Sequence, residues 1–104
     1  MNKSSKHIFS VPGFLWNHST QLSGSLEIWD THLAFEFSTF KEGHLKLEIP
    51  LIEIERVEEY LVFDLARNGL RVQTRDGRYN LFILNDSSKA KNLLLREVSK
   101  WNHS

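Results

Sequence analysis

Residues 68–84, NGLRVQTRDGRYNLFIL, set Asp76-Gly77 between two runs of alternating residues. Such a pair is a strong local signal for a β-hairpin, because Asp and Gly accept the positive φ of a tight type I′ turn. A two-residue loop would fix the register, with Arg75 opposite Arg78, Gln73 opposite Asn80 and Arg71 opposite Phe82. Period two then gathers Leu70, Val72 and Thr74 with Tyr79, Leu81 and Ile83 on an apolar side. Arg71, Arg75 and Arg78 share the polar side. Asn68-Gly69 reads as a further turn leading back to an earlier strand.

The preceding sequence is also strand-like. IFSVPGFLWNHS reads as extended, with Pro12 marking an edge or a bend. In SLEIWDTHLAFEF, a loop at Asp30-Thr31 pairs Ile28 with Leu33 and Leu26 with Phe35. Both apolar pairs fall on one face, so the register supports itself. Glu27, Trp29, His32 and Ala34 take the other face. TFKEGH is a turn, LKLEI alternates with Leu45, Leu47 and Ile49 inward, and Pro50 ends that strand. LIEIERVEEYLVF supplies one bent strand or two short ones.

The period changes after Leu84. NDSS is a cluster of helix N-cap residues, and Ala90, Leu93, Leu94, Val98 and Trp101 then recur at helical spacing. Trp101 is expected in the core beside Phe35, Phe37 and Phe63. Arg96 and Lys100 fall near the C-terminal end, where the helix dipole favours cations. Glu97 lies on the apolar arc, and an arginine or the solvent edge is its expected destination. The fold class is mainly β with one C-terminal helix, the helix covering an open end or face of the strands.

Composition bounds the function. The 104 residues read as a single domain, with residues 1–7 as a flexible N-terminus. A chain of this size buries roughly two thirds of its unfolded surface, enough for one core. There is no cysteine, which removes disulfides, thiolate chemistry and cysteine-ligated metals. The formal net charge of zero argues against a general nucleic-acid binder. The apolar run near the start is interrupted by Ser, Pro and Gly, which makes it a poor signal peptide. The expected location is the cytoplasm, with the inner membrane surface as the site of any peripheral role.

Several short motifs resemble the GRAM domain of the pleckstrin-homology-like superfamily. GSLEIWDTHLAF is similar to its Gly-x-Leu, turn, Leu-x-Phe pattern, IPLIEIERV to its Ile-Pro-Leu segment, and NGLRVQTRDG to its Asn-Gly-Leu segment. WNHS, ahead of Gly24, resembles an Asn-His pair found in small members. Trp29 stands where the family often has Thr. The resemblance spans residues 14–101. It implies a PH-like barrel of two near-orthogonal antiparallel sheets capped by an α-helix. It also implies an interaction module rather than an enzyme, since relatives bind lipids or proteins.

Chemistry-bearing constellations are absent from the sequence. The five histidines show no metal-ligand spacing, and no Gly-x-Ser-x-Gly elbow or phosphate-cradling glycine loop occurs. Glu58-Glu59 are adjacent, so in a strand they point to opposite faces. No catalytic residue, metal or cofactor is expected.

The candidate sites are for binding. Asn17 and His18 start a stretch, residues 17–23, that PH-like folds use as an open ligand loop. It holds no Lys or Arg, which argues against a phosphoinositide pocket there. The alternative is that both residues satisfy local hydrogen bonds. Arg71, Arg75 and Arg78 could meet an acidic lipid surface or an acidic partner, or pair internally with Glu53, Glu55, Glu58 or Glu59. Phe14, Trp16 and Trp29 form an interface if exposed, and otherwise pack on the barrel's outside against the N-terminal segment. A strand such as residues 8–11, at a sheet edge, offers a route to self-association. The function expected is a non-catalytic binding or scaffold module, through a protein partner or self-association. Weak peripheral binding to acidic membrane lipid is the alternative, and an unrecognised enzyme the second.

Overall fold

A computed structural model describes residues 5–17, 20–38, 46–62 and 66–101. Seven strands and one long helix follow one another: β1 (His7–Asn17), β2 (Thr20–Trp29), β3 (His32–Phe37), β4 (Lys46–Pro50), β5 (Ile54–Val62), β6 (Ala66–Thr74), β7 (Tyr79–Leu84) and α1 (Ser87–Trp101), with a 3-10 turn at Leu51–Glu53. All pairings are antiparallel, and the strand order is β4-β3-β2-β1-β7-β6-β5.

The two sheets expected are thus one continuous hydrogen-bonded sheet, and it curls. β4 and β5 are its opposite edges, yet only Leu51–Glu53 separate them in sequence. Seven flat strands would hold the edges roughly 29 Å apart, at about 4.8 Å per strand. The four residue steps from Pro50 to Ile54 reach at most about 14 Å. The sheet must wrap round until its edges nearly meet, although no ladder joins them among the described residues. α1 packs on β5, β6 and the 3-10 turn beside this gap.

The β2–β3 hairpin keeps the register that its sequence dictates, with Leu26 opposite Phe35 and Ile28 opposite Leu33, all buried. β1 and β2 pair along their whole length, and Gly13 lies directly opposite Gly24. Both glycines face inward, and each makes room for a core side chain. A Cβ on Gly13 would meet the Ile83 carbonyl oxygen at 2.5 Å and Leu84 at 2.6 Å. One on Gly24 would run into the Glu36 carbonyl and the Phe35 ring. Phe35 itself packs on Phe82, ring centroids 5.5 Å apart, at the centre of the core.

The last hairpin differs from the sequence expectation by one residue. Gln73 pairs with Tyr79, Arg71 with Leu81 and Leu70 with Phe82. The Thr74 N–H donates to the Arg78 carbonyl at 2.9 Å and the Gly77 N–H to the Thr74 carbonyl at 3.0 Å. The loop therefore holds Arg75, Asp76 and Gly77, with Gly77 at φ +90°, the three-residue loop that ends on a left-handed glycine. A one-residue change in loop length turns the whole of β7 over. Phe82 and Leu84 point into the core with Leu70 and Val72, while Tyr79 is exposed and Leu81 only partly buried. Asn68-Gly69 is not a turn: Gly69 sits within β6, opposite Tyr60 and Ile83.

Asp76 stabilises this loop. The Thr74 hydroxyl, then the Arg78 N–H, donate to its carboxylate and hold it below the usual aspartate range. A lowered folded pKa contributes stability that is present above the unfolded value of about 3.9 and is lost as pH falls through the folded one. The Arg78 amide is therefore expected to lose hydrogen-exchange protection selectively on acidification below about pH 4. A loss no earlier than that of the core amides of β2 and β3 would contradict this.

α1 starts where the cap residues said it should. Asp86 accepts the Lys89 N–H at 3.1 Å, and the hydroxyls of Ser87 and Ser88 both donate to Glu59 of β5. Ala90, Leu94 and Val98 are buried. Glu97 is buried among them, 1% exposed, and its carboxylate accepts from Lys100 at 3.2 Å and lies 3.7 Å from Arg96. Trp101 is not in the core: it is exposed, and its indole N–H donates to the Asp30 carbonyl at 3.0 Å. The last helical turn runs past the sheet and is latched to the β2–β3 turn instead. Trp101→Ala is expected to cost about 1–3 kcal/mol, one net hydrogen bond plus the partial burial of the ring, below the cost of a fully enclosed aromatic. A loss of core-residue size in chemical denaturation would show that the ring is buried in solution.

The N-terminal side is latched to the same turn. The Lys6 N–H donates to the Asp30 carboxylate at 2.8 Å, the Asp30 N–H to the Lys6 carbonyl at 3.0 Å, and the Ser5 and Thr31 hydroxyls are hydrogen-bonded. Ser5 and Lys6, within the stretch expected as a flexible N-terminus, make these contacts, and His7 begins β1. β7 covers only Gly13–Trp16 of β1, so Phe9–Pro12 pair with β2 alone. Ile8, Phe9 and Val11 turn to the core, and Lys89 of α1 reaches the Phe9 ring at 5.3 Å.

Candidate functional site

The strand order brings β1, β7, β6 and β5 side by side, and their outward residues fall in register. Phe14 is opposite Ile83, Ile83 opposite Gly69, and Gly69 opposite Tyr60. The neighbouring row runs Trp16, Leu81, Arg71, Glu58, and Tyr79 and Gln73 form the next. The inward residues of these strands, Leu15, Phe82, Leu70, Val72 and Val57, fill the core. The outward ones make a second apolar surface with no element of the described structure over it. Phe14 is 41% exposed, Tyr60 44% and Tyr79 59%, with Trp16 and Leu81 partly buried beside them.

Arg71 stands at the centre of this face. Its guanidinium lies 4.4 Å from the Tyr79 ring centroid and 5.7 Å from that of Tyr60, and its Nη1 donates to Glu58 at 3.4 Å. Arg56 approaches the same carboxylate at 3.6 Å. A guanidinium close to two rings is attracted by the ring quadrupoles. The one Glu58 carboxylate is shared by two guanidiniums, so the face combines aromatic surface with a small excess of positive charge.

The other arginines lie elsewhere. Arg75 does not face Arg78: it is in the loop, where its Nε donates to the Ile52 carbonyl at 3.1 Å and its N–H to the Glu53 carbonyl at 3.0 Å. It braces the hairpin tip on the 3-10 turn. Arg78 lies 3.5 Å from Asp76. The three arginines expected on one face are thus dispersed, because the longer loop changes which residues the strands carry outward.

The aromatic candidates divide too. Phe14 and Trp16 join the outer face, whereas Trp29 lies at the far end of β2. It stacks on His32 at 5.7 Å, meets the edge of His7 at 5.0 Å and donates its indole N–H to Glu27. Trp29 therefore packs against the N-terminal segment. Of residues 17–23, expected as an open loop, Asn17 pairs with Thr20, and Thr20–Ser23 belong to β2. His18, Phe63 and the side chain of Asn17 lie outside the described residues.

A depression of about 360 Å³ adjoins the face at Phe14 and Ile83. Its remaining wall is Pro12, Gly13, Gly24 and Leu84, with the polar residues Ser23, Ser38, Asn68 and Asn85, and it holds no charged side chain among the described residues. Ser23 and Ser38 are hydrogen-bonded to each other at 2.9 Å. The Asn68 amide oxygen is buried without a hydrogen-bond partner among the described residues, a loss of about 1–3 kcal/mol. No group of His, Asp or Glu among the described residues is placed to hold a metal ion, and none of their helices is long and apolar enough to cross a membrane.

Solved structures share this architecture. The Vps36 N-terminal PH domain superposes with a TM-score of 0.80 at 14% identity, over 100% of this chain and 86% of that one. This is the pleckstrin-homology-like fold. The C-terminal domain of an unknown protein from Leishmania infantum matches with a TM-score of 0.80 at 16% identity, over 90% of this chain and 84% of that one. The N-terminal PH domain of human ARAP2 matches at 0.71 and 16%, over 92% and 83%. No protein-family model matches the chain, and no curated protein does. The GRAM resemblance therefore rests on the sequence motifs, and at these identities the PH-like likeness speaks to the fold alone.

Proposed function

We propose that this chain is a non-catalytic protein-binding module whose interface is the outer face of β1, β7, β6 and β5. The observation that carries the reading is the exposure of Phe14, Tyr60 and Tyr79 on one face, in register with Trp16 and Leu81. Rings of this kind, rigid and cheap to order, are the side chains that concentrate binding energy at protein interfaces. The resemblance to GRAM domains, whose members bind proteins or lipids, supports an interaction role. Attachment to an acidic membrane is less well supported. Glu58 is shared by Arg71 and Arg56, and Asp76 lies beside Arg78, so little net positive charge is left, and at about 1 kcal/mol per basic residue it gives only weak attachment.

The test is a selection of random displayed peptides on the immobilised domain, alongside flotation with phosphatidylserine-containing and purely phosphatidylcholine vesicles. Peptides that bind the wild-type domain and lose binding to a folded Phe14→Asp/Tyr79→Asp variant are expected, with no flotation. Flotation with the acidic vesicles, or peptides indifferent to the variant, would overturn the reading.

A further inference from the structure

Two rows of the outer face end on charged groups at β5, its edge strand. The row of Trp16, Leu81 and Arg71 ends on Glu58, and the row of Tyr79 and Gln73 ends on Arg56. The Glu58 carboxylate thus serves two guanidiniums. One of its oxygens lies 3.4 Å from Arg71 and the other 3.6 Å from Arg56. Charge-assisted contacts of full strength run at about 2.7–2.9 Å, so neither guanidinium is tightly held. Each is a fork of N–H donors with no acceptor of its own. Apart from the shared carboxylate, neither finds an acceptor among the described residues. Two cations against one anion leave one positive charge over.

Arg71 is the more confined of the two. Its side chain is 25% exposed, close to the rings of Tyr60 and Tyr79, whereas that of Arg56 is 62% exposed. A charge partly withdrawn from water gains more from a counter-charge than one in full solvent, because the effective dielectric is lower there. The face therefore has room for one further carboxylate, next to exposed rings that accept apolar side chains. This pattern separates the occupants. A second copy set face to face would bring the same positive excess against itself, and like charges so placed disfavour the contact. An anionic bilayer is held by several basic residues acting together, and one spare charge does not supply that. A protein segment with an Asp or Glu beside an apolar side chain meets both features at once. Its planar carboxylate suits the guanidinium fork, and its neighbour covers the rings.

We infer that the outer face takes an acidic segment of a partner protein, whose carboxylate binds the Arg56 and Arg71 guanidiniums in competition with Glu58 while a neighbouring apolar side chain packs on Tyr60 and Tyr79. This rests on the protein-binding reading above. The test selects random displayed peptides on the full chain. Labelled copies of the binders, and versions with each Asp and Glu replaced by Asn and Gln, are then measured by fluorescence anisotropy. Peptides that lose binding to Phe14→Ser are taken as face-dependent. These are expected to carry an Asp or Glu next to an apolar residue, and their amide versions to bind about tenfold more weakly. Arg56→Gln is expected to weaken the acidic peptides about three- to fivefold. Glu58→Gln decides the matter: removal of the competing carboxylate is expected to tighten them by about the same factor, whereas a merely structural cluster would weaken them. The melting temperature of each variant checks its fold. Face-dependent peptides without acidic residues, or acidic ones that Glu58→Gln fails to tighten, would overturn the inference and leave the protein-binding reading standing. A selection that yields no face-dependent peptide would overturn both.

Discussion

Phe82→Ala is expected to lose about 3–5 kcal/mol, the cost of removing a fully buried aromatic ring and leaving a cavity. The ring is wholly enclosed, lies against Phe35, and is held opposite Leu70 and Leu15 by pairing on both sides. Domains of this size have about 5–15 kcal/mol in all, so the variant should be near the limit of folding. The comparison with Leu81→Ala makes the experiment decisive. With a two-residue loop, Leu81 would be the core residue and Phe82 would lie outside beside Arg71. With the observed three-residue loop, Leu81→Ala removes a partly exposed side chain and should cost about 1 kcal/mol. Urea denaturation of the two variants reads the register directly, and a larger loss from Leu81→Ala would mean that the hairpin has slipped.

Gly24→Ala should be nearly as severe. One added methyl group would run into the Glu36 carbonyl oxygen and the Phe35 ring, and the backbone cannot withdraw because Gly24 is paired with both Gly13 and Phe37. Overpacking of this kind costs about 1–3 kcal/mol where side chains can give way, and more where backbone must move. A loss of about 3 kcal/mol corresponds to a fall of roughly 12–24 °C in melting temperature for a domain of this length. Gly77→Ala is the useful contrast. Its Cβ would meet nothing within 4 Å, so only the strain of φ +90° is added. A Gly24→Ala protein that melts within a few degrees of wild type would show that β2 and β3 are less closely apposed than described.

These positions also show what the sequence could and could not reveal. The β2–β3 hairpin was legible because Leu26, Ile28, Leu33 and Phe35 leave only one apolar face, so pattern and turn agree. The final hairpin was not, because β7, YNLFIL, is apolar on both faces. Periodicity cannot choose between Phe82 and Leu81, and the loop length that does choose depends on where Thr74 and Gly77 bond. The ambiguity had a cause: the outward residues of β7 belong to the candidate interface. Phe14 and Trp16 could be singled out from β1 alone, but Tyr60, Tyr79 and Leu81 join them only through the strand order β1-β7-β6-β5. The Gly13–Gly24 pair was hidden for a similar reason, since it exists only in the β1–β2 register. Trp101 fits the helical arc as well as Val98 does, and nothing local marks that the sheet ends before it.

The PH-like fold is a scaffold for many functions, so the role argued here stands on the face and not on the fold. The face is unusual in combining exposed rings with a guanidinium that is already engaged by Tyr60, Tyr79 and Glu58. Its most direct test is a backbone amide chemical-shift map of the uniformly labelled chain, titrated with a peptide selected on the wild-type domain. The account predicts that the largest shifts cluster on Phe14, Trp16, Tyr60, Arg71, Tyr79, Leu81 and Ile83. Shifts concentrated instead on the hairpin tip around Arg75–Arg78, or on the Trp29–His32 patch, would contradict it.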